Sequence, residues 1–145
     1  MSTFRYLIVW LLLGGLAAAS ALAVETPLEL IPLYEKVAHA LCADDLAAAK
    51  AAAGTLATEA ARLHHDGIAG PATAVTGADG IAAARTSFKA LSTAIITLAQ
   101  RANGYFILTC PMAQADWVQS TRQVANPYLG KEMLACGEVK EETKG

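Results

Sequence analysis

Sulfur is scarce in this chain. Its 145 residues hold three cysteines and three methionines, one of them Met1. No Cys-x-x-Cys occurs, which removes a thioredoxin-type redox centre, and no Cys-x-x-Cys-His, which removes covalent haem attachment. Eleven Lys and Arg face thirteen Asp and Glu with no basic run or stripe, so nucleic acid and anionic lipid both lose their usual electrostatic footprint. A glycine-rich phosphate loop, His-Glu-x-x-His and Gly-x-Ser-x-Gly are also missing. Asp44-Asp45 is explained better by helix capping than as a carboxylate dyad. The sequence therefore reads as a binding protein and not as an enzyme.

The first residues have the grammar of export. Arg5 supplies a positive start, Tyr6 to Leu13 with Leu16 an apolar stretch, and Ala21-Leu22-Ala23 an A-x-A cleavage site. The expected division is a cleaved signal peptide at 1–23 and one domain at 24–145, located in a bacterial periplasm or secreted. About 120 mature residues suit a single modest core. Losing Arg5 moves the formal charge from −2 to −3.

The centre of the chain has a helical period. Leu46, Ala49, Ala53, Leu56, Ala60 and Leu63 step by three and four between Asp44 and His65, and Ala84, Phe88, Leu91, Ile95, Leu98 and Ala102 do the same from Ile81. An earlier helix is predicted over 28–41, with Ile31, Tyr34, Ala38 and Leu41 on one face. Asp44 or Asp45 should cap the second helix and Asp79 the third, with Gly67 as a stop after His64-His65. Ile68 to Gly80 reads as a long loop and Lys140 to Gly145 as a frayed end. Beyond Asn103-Gly104 the texture changes. Tyr105 to Thr109 reads as a short strand, Trp117 to Val124 as one or two helical turns, and Met133 to Val139 as a returning strand or irregular segment. The predicted fold is mainly α, an up-down bundle of three to four helices with a short C-terminal hairpin or irregular Cys/Met segment at 104–139.

The scarce sulfurs are not scattered. Both methionines of the mature chain stand within three residues of a cysteine, in Cys110-Pro111-Met112 and Met133-Leu134-Ala135-Cys136. Thiolate and thioether are the ligands that select Cu(I) over hard cations. Cys110, Met112, Met133 and Cys136 are thus candidate copper ligands if their segments pair. Two ordinary alternatives stand beside this. A Cys110–Cys136 disulfide would close a loop of 27 residues, worth roughly 3–4 kcal/mol on the loop-entropy account. The methionines, for their part, would serve as flexible packing against Trp117 or Tyr105.

Cys42 shares a helix face with His39, yet two ligands do not make a site, and a small buried cysteine is the plainer reading. His64 and His65 point about 100° apart on a helix, so they do not chelate one ion together. Their plainer role is to complement a helix C-terminus, with a peripheral copper donor as the alternative.

Tyr105 to Ala113, Asp116-Trp117-Val118, Asn126-Pro127-Tyr128-Leu129-Gly130 and Met133 to Gly137, in that order, resemble the signature of the domain-of-unknown-function family numbered 3347. Tyr34 to Leu41, Asp44-Asp45 with the alanines after them, and Arg85 to Ser92 resemble its helical part. The resemblance implies an exported helical domain, found alone or on periplasmic adaptors of copper/silver-type efflux systems, and an association with copper handling. It carries over Cys110, Met112, Met133 and Cys136 as the site, and Trp117, Asn126, Pro127, Tyr128 and Gly130 as shapers of the loop. No adaptor barrel accompanies the domain, so a free-standing protein is expected, serving an efflux or oxidase component. His39 and Cys42 match no element of the family.

Overall fold

The computed structural model describes residues 27–145; the predicted signal peptide lies outside them. A 3₁₀ turn at Pro27–Glu29 leads into α1, Leu30–Cys42, followed by α2, Leu46–Arg62, α3, Asp66–Thr76, and α4, Ile81–Ala99. Three strands complete the chain: β1, Asn103–Cys110, β2, Ala115–Gln119, and β3, Glu138–Lys144. They form an antiparallel sheet in the order β2-β1-β3. Each helix packs on its neighbour in the chain, α4 returns to α1, and β2 lies on α4.

The two adjacent aspartates divide a junction between them. Asp44, in the left-handed region at φ 56°, ends α1. Its N–H donates to Leu41 and that of Asp45 to Ala40, the crossed pair of a Schellman stop. Asp45 then starts α2, its carboxylate accepting the N–H of Ala48 at 2.9 Å. The α2–α3 junction repeats the device with His64 at φ 58°, and the N–H groups of His64 and His65 donate to Ala61 and Ala60. The stop predicted at Gly67 therefore falls at His64. Histidine tolerates the left-handed conformation better than most side chains, and Gly67 sits in the first turn of α3.

The predicted loop over 68–80 is largely helix. Gly67, Gly70 and Pro71 are local breakers, but Ile68, Ala72 and Val75 form a stripe stepping by four and three, and all three are buried. Burial of that stripe between α2 and α4 outweighs the hydrogen bond that Pro71 cannot make. Asp79 does not cap α4; the N-cap is Gly80, without a side-chain bond. Trp117 to Gln119 are strand instead of helical turn, because pairing with β1 places Trp117, Val118 and Gln119 in the interior. The tail predicted to fray is β3, an edge strand in which Glu138, Lys140, Glu142 and Lys144 keep the free edge charged.

One apolar cluster joins helices to sheet. Tyr34 stacks on Phe88 at 5.0 Å, Phe88 meets Tyr128 at 5.7 Å, and Tyr128 meets the edge of Trp117 at 6.1 Å. Replacing Asp45 with Ala should lower stability by about 1 kcal/mol. The same change at exposed Asp79 should stay within about 0.5 kcal/mol. Urea unfolding of the two variants checks the assignment, and equal losses would contradict it.

Candidate metal centre

Strand β1 ends at Cys110, which faces inward and is fully buried. The hairpin to β2 runs through Pro111–Gln114, where the N–H of Gln114 donates to Pro111 at 3.2 Å and Gln114 takes φ 50°. Proline has no N–H, so the first free donors of the loop are those of Met112 and Ala113. Both fold back onto the Cys110 sulfur. Met112 is left at the tip, 65% exposed.

Cys136 arrives from the other side. After a 3₁₀ turn at Gly130–Met133 its N–H donates to the Met133 carbonyl at 3.0 Å. Asn126 fixes this segment. Its Nδ2 donates to the Cys136 carbonyl at 2.6 Å, its own N–H to Leu134 at 2.8 Å, and its Oδ1 accepts the N–H groups of Tyr128 and Leu129. Gly137 follows at φ 134°; a Cβ there would come within 2.7 Å of the Trp117 ring and 2.8 Å of the Thr109 carbonyl. Only glycine lets the chain cross Trp117 so closely before it pairs as β3.

The result is a sulfur trio. Cys136 Sγ lies 3.5 Å from Cys110 Sγ and 3.8 Å from Met112 Sδ. Bonds of about 2.3 Å from a d¹⁰ ion to three sulfurs in a plane put those sulfurs about 4.0 Å apart. The two separations from Cys136 fall within half an ångström of that. They are well beyond the S–S bond of about 2.05 Å, and all three cysteines are free thiols. Met133 meets Cys136 through its backbone carbonyl and is itself 38% exposed; its sulfur is not among those brought together. Among the described residues no three His, Cys, Asp or Glu side chains are arranged to hold a metal. The trio differs from such a group in using a thioether.

The two thiols are unequal. Burial acts to raise Cys110, but the N–H of Ala113, the Cys136 thiol, the Asn126 side chain and the N–H of Met112 together hold it below its ordinary value. Cys136 is pushed up, first by its hydrogen bond to Cys110 and then by burial. The backbone N–H groups of the loop thus favour the charged form at Cys110, and its neighbour disfavours it at Cys136.

Support for the site comes from residues the sequence did not mark as a group. Ser92 Oγ lies 2.7 Å from the Tyr34 hydroxyl and 2.9 Å from that of Tyr128, whose single O–H donates to the Asp116 carbonyl at 2.7 Å. Lys89 Nζ donates to Ala113 at 2.6 Å, tying the hairpin loop to α4. Arg85 donates to the Pro127 and Leu41 carbonyls and pairs with Asp44, which it holds below the ordinary carboxylate value. The one legible sign was a serine inside the apolar stripe of α4.

The other candidates lie elsewhere. His64 and His65 belong to the α2–α3 junction. Cys42 lines a cavity of about 20 Å³ with His39, Glu35 and Trp117. Burial lifts its thiol from 9.0 to about 11, with Arg85 opposing and Asp44 adding to the rise. A folded value above the unfolded one means that its contribution to stability is intact below pH 9.0 and is lost as pH rises through about 11. Equilibrium unfolding from pH 8 to 11.5 should show a falling wild-type stability and a shallower fall in Cys42→Ala. Parallel curves would contradict the assignment.

Asn126→Ala should cost about 2–3 kcal/mol, since it strands a buried carbonyl and two N–H groups. Asn126→Asp keeps the acceptor and should fall between that variant and wild type. Denaturant midpoints check the order.

The family model described as "Protein of unknown function (DUF3347)" matches residues 30–104. No curated protein and no solved structure matches the chain. The matched residues hold all four helices and the first two residues of β1, and they stop short of the sulfur trio. With more than half of its length inside that match, the chain belongs to the DUF3347 family.

Proposed function

We propose that the protein is an exported soft-metal carrier that holds one Cu(I) as cargo on Cys110, Cys136 and Met112, with Met133 as a further donor. The observation that carries this reading is the approach of three sulfurs to within 3.5 and 3.8 Å at the surface end of a rigid hairpin. Two thiolates supply charge and affinity, and the thioether completes a soft shell that Ca²⁺ or Mg²⁺ does not favour. Buried Cys110 anchors the ion and exposed Met112 leaves one flank open, as delivery to an efflux or oxidase component in the periplasm requires. Trp117 and Tyr128 back the site with apolar surface and keep water from its inner side. The sequence resemblance to copper-associated exported domains favours the same assignment.

A second reading uses the same separation differently. Cys110 and Cys136 would close as a disulfide, and the domain would serve as an interaction module without metal.

Anaerobic titration of the reduced mature protein with Cu(I), against a chromogenic chelator and followed by native mass spectrometry, separates the two. One copper per chain is expected. Cys110→Ser should weaken it by about 100-fold or more, whereas Met112→Leu should lose about tenfold and Met133→Leu less. A reduced protein that takes up no copper sinks the carrier reading, and so do equal, negligible losses in all three variants.

A further inference from the structure

The trio is asymmetric in a way that metal binding does not need. Cys110 is fully buried beneath the Pro111–Gln114 loop, while Cys136 is partly exposed in the irregular stretch between the 3₁₀ turn and β3. The residues around Cys136 include the large apolar side chains that are exposed among the described residues: Met112 at 65%, Met133 at 38% and Leu134 at 41%. An incoming reagent thus meets Cys136 first. Cys110 waits behind it at 3.5 Å.

We propose that Cys136 and Cys110 form a directional dithiol that low-molecular-weight disulfides oxidise in two steps, attack by Cys136 and resolution by Cys110. In the first step Cys136, giving up its proton to Cys110 at 3.5 Å, attacks the small disulfide as the thiolate, forms a mixed disulfide and releases one small thiol. In the second, the Cys110 sulfur attacks Cys136 Sγ, forms the internal bond and displaces the second small thiol. The two protein protons leave on the two released thiols, so the dithiol is oxidised by two electrons and the small disulfide is reduced by two.

The geometry suits this order. The two sulfurs must close by about 1.5 Å to reach bonding distance. Cys110 is held in the sheet by its pairing with Ala115, so the movement falls to Cys136. Its anchors are two hydrogen bonds, from Asn126 to its carbonyl and from its N–H to Met133. Cys42 takes no part, being placed at the end of α1 against Trp117. The exchange stands independently of the copper reading. If that reading also holds, closing the bond removes both thiolates from the ion and releases it.

The test uses the reduced mature chain in a Cys42→Ala background with oxidised glutathione as the probe, acid quenching, intact mass and peptide mapping. The parent protein should lose two hydrogens without accumulating an adduct. Adding Cys110→Ser should leave one glutathione stably on Cys136. Adding Cys136→Ser should slow adduct formation by about tenfold or more, because access limits the remaining sulfur. Equal rates in the two variants, or an adduct that persists in the parent, would overturn the proposal. A measurement on the unsubstituted protein stands if a variant fails to fold: brief N-ethylmaleimide treatment should label Cys136 before Cys110, and the reverse order would refute the assignment. Exchange without copper uptake would remove the carrier reading alone, and copper uptake without ordered exchange would remove this proposal alone.

Discussion

Ser92 has one hydroxyl, and two buried tyrosines converge on it. Tyr34 comes from α1 and Tyr128 from the segment that carries the Cys136 turn, so helices and sheet close on the same oxygen. The aromatic rings impose that meeting. Tyr34, Phe88, Tyr128 and Trp117 contact one another in sequence and include the three largest fully buried side chains among the described residues, and the tyrosine hydroxyls must then find partners inside. Ser92, the Asp116 carbonyl and the N–H of Val118 provide them, and no buried side-chain nitrogen or oxygen among the described residues is left unpaired. A satisfied network of this kind specifies one arrangement of the core, because a shifted ladder would leave several polar atoms stranded.

The position of the sulfurs follows from that ladder. Tyr128 fixes the start of the segment whose end is Cys136, and Trp117 is the surface over which Gly137 crosses. Asn126, fully buried, converts both constraints into a backbone geometry by bonding three main-chain groups across the turn. Cys110 is placed by its pairing in the sheet and by the hairpin loop that folds over its sulfur. Two sulfurs positioned by separate elements keep their separation without a covalent bond. That is what a site able to hold an ion, or to form and break an S–S bond, demands.

Much of this was open to a reader of the sequence, and the remainder was hidden for definite reasons. The period of the helices was plain because alanine-rich stripes repeat every three or four residues over several turns. Residues 68–76 obeyed the same period, but Gly67, Gly70 and Pro71 argue locally for a loop, and only the tertiary burial of Ile68, Ala72 and Val75 decides against them. The charged tail gave no sign of a strand, since its order comes from pairing with β1 and not from its own propensity. At the site, the spacing of Cys110, Met112 and Cys136 pointed to sulfurs that the fold does bring together, whereas Met133 meets Cys136 only through its carbonyl. The inequality of the two thiols was not legible. It depends on which backbone N–H groups face which sulfur, and a turn discloses that only once it is folded.

The family match ends at Gly104, yet the segment beyond it is not an independent attachment. Arg85, inside the matched helices, bonds the carbonyl of Pro127 and pairs with Asp44, and a side chain on Gly130 would collide with that pair. Lys89, one turn further along α4, holds the carbonyl of Ala113 in the hairpin loop. These two cations share a helix face, and each reaches a turn that orients one of the cysteines. The helical scaffold therefore contributes directly to the site. Its basic residues Arg85 and Lys89 grip main-chain oxygens of the turns, while Phe88 on its inner face packs against Tyr34 and Tyr128. A change at Arg85 or Lys89 would be felt at Cys136 or Cys110 before it was felt in the core. The polar face of α4 thus has a structural role beside that of its apolar stripe.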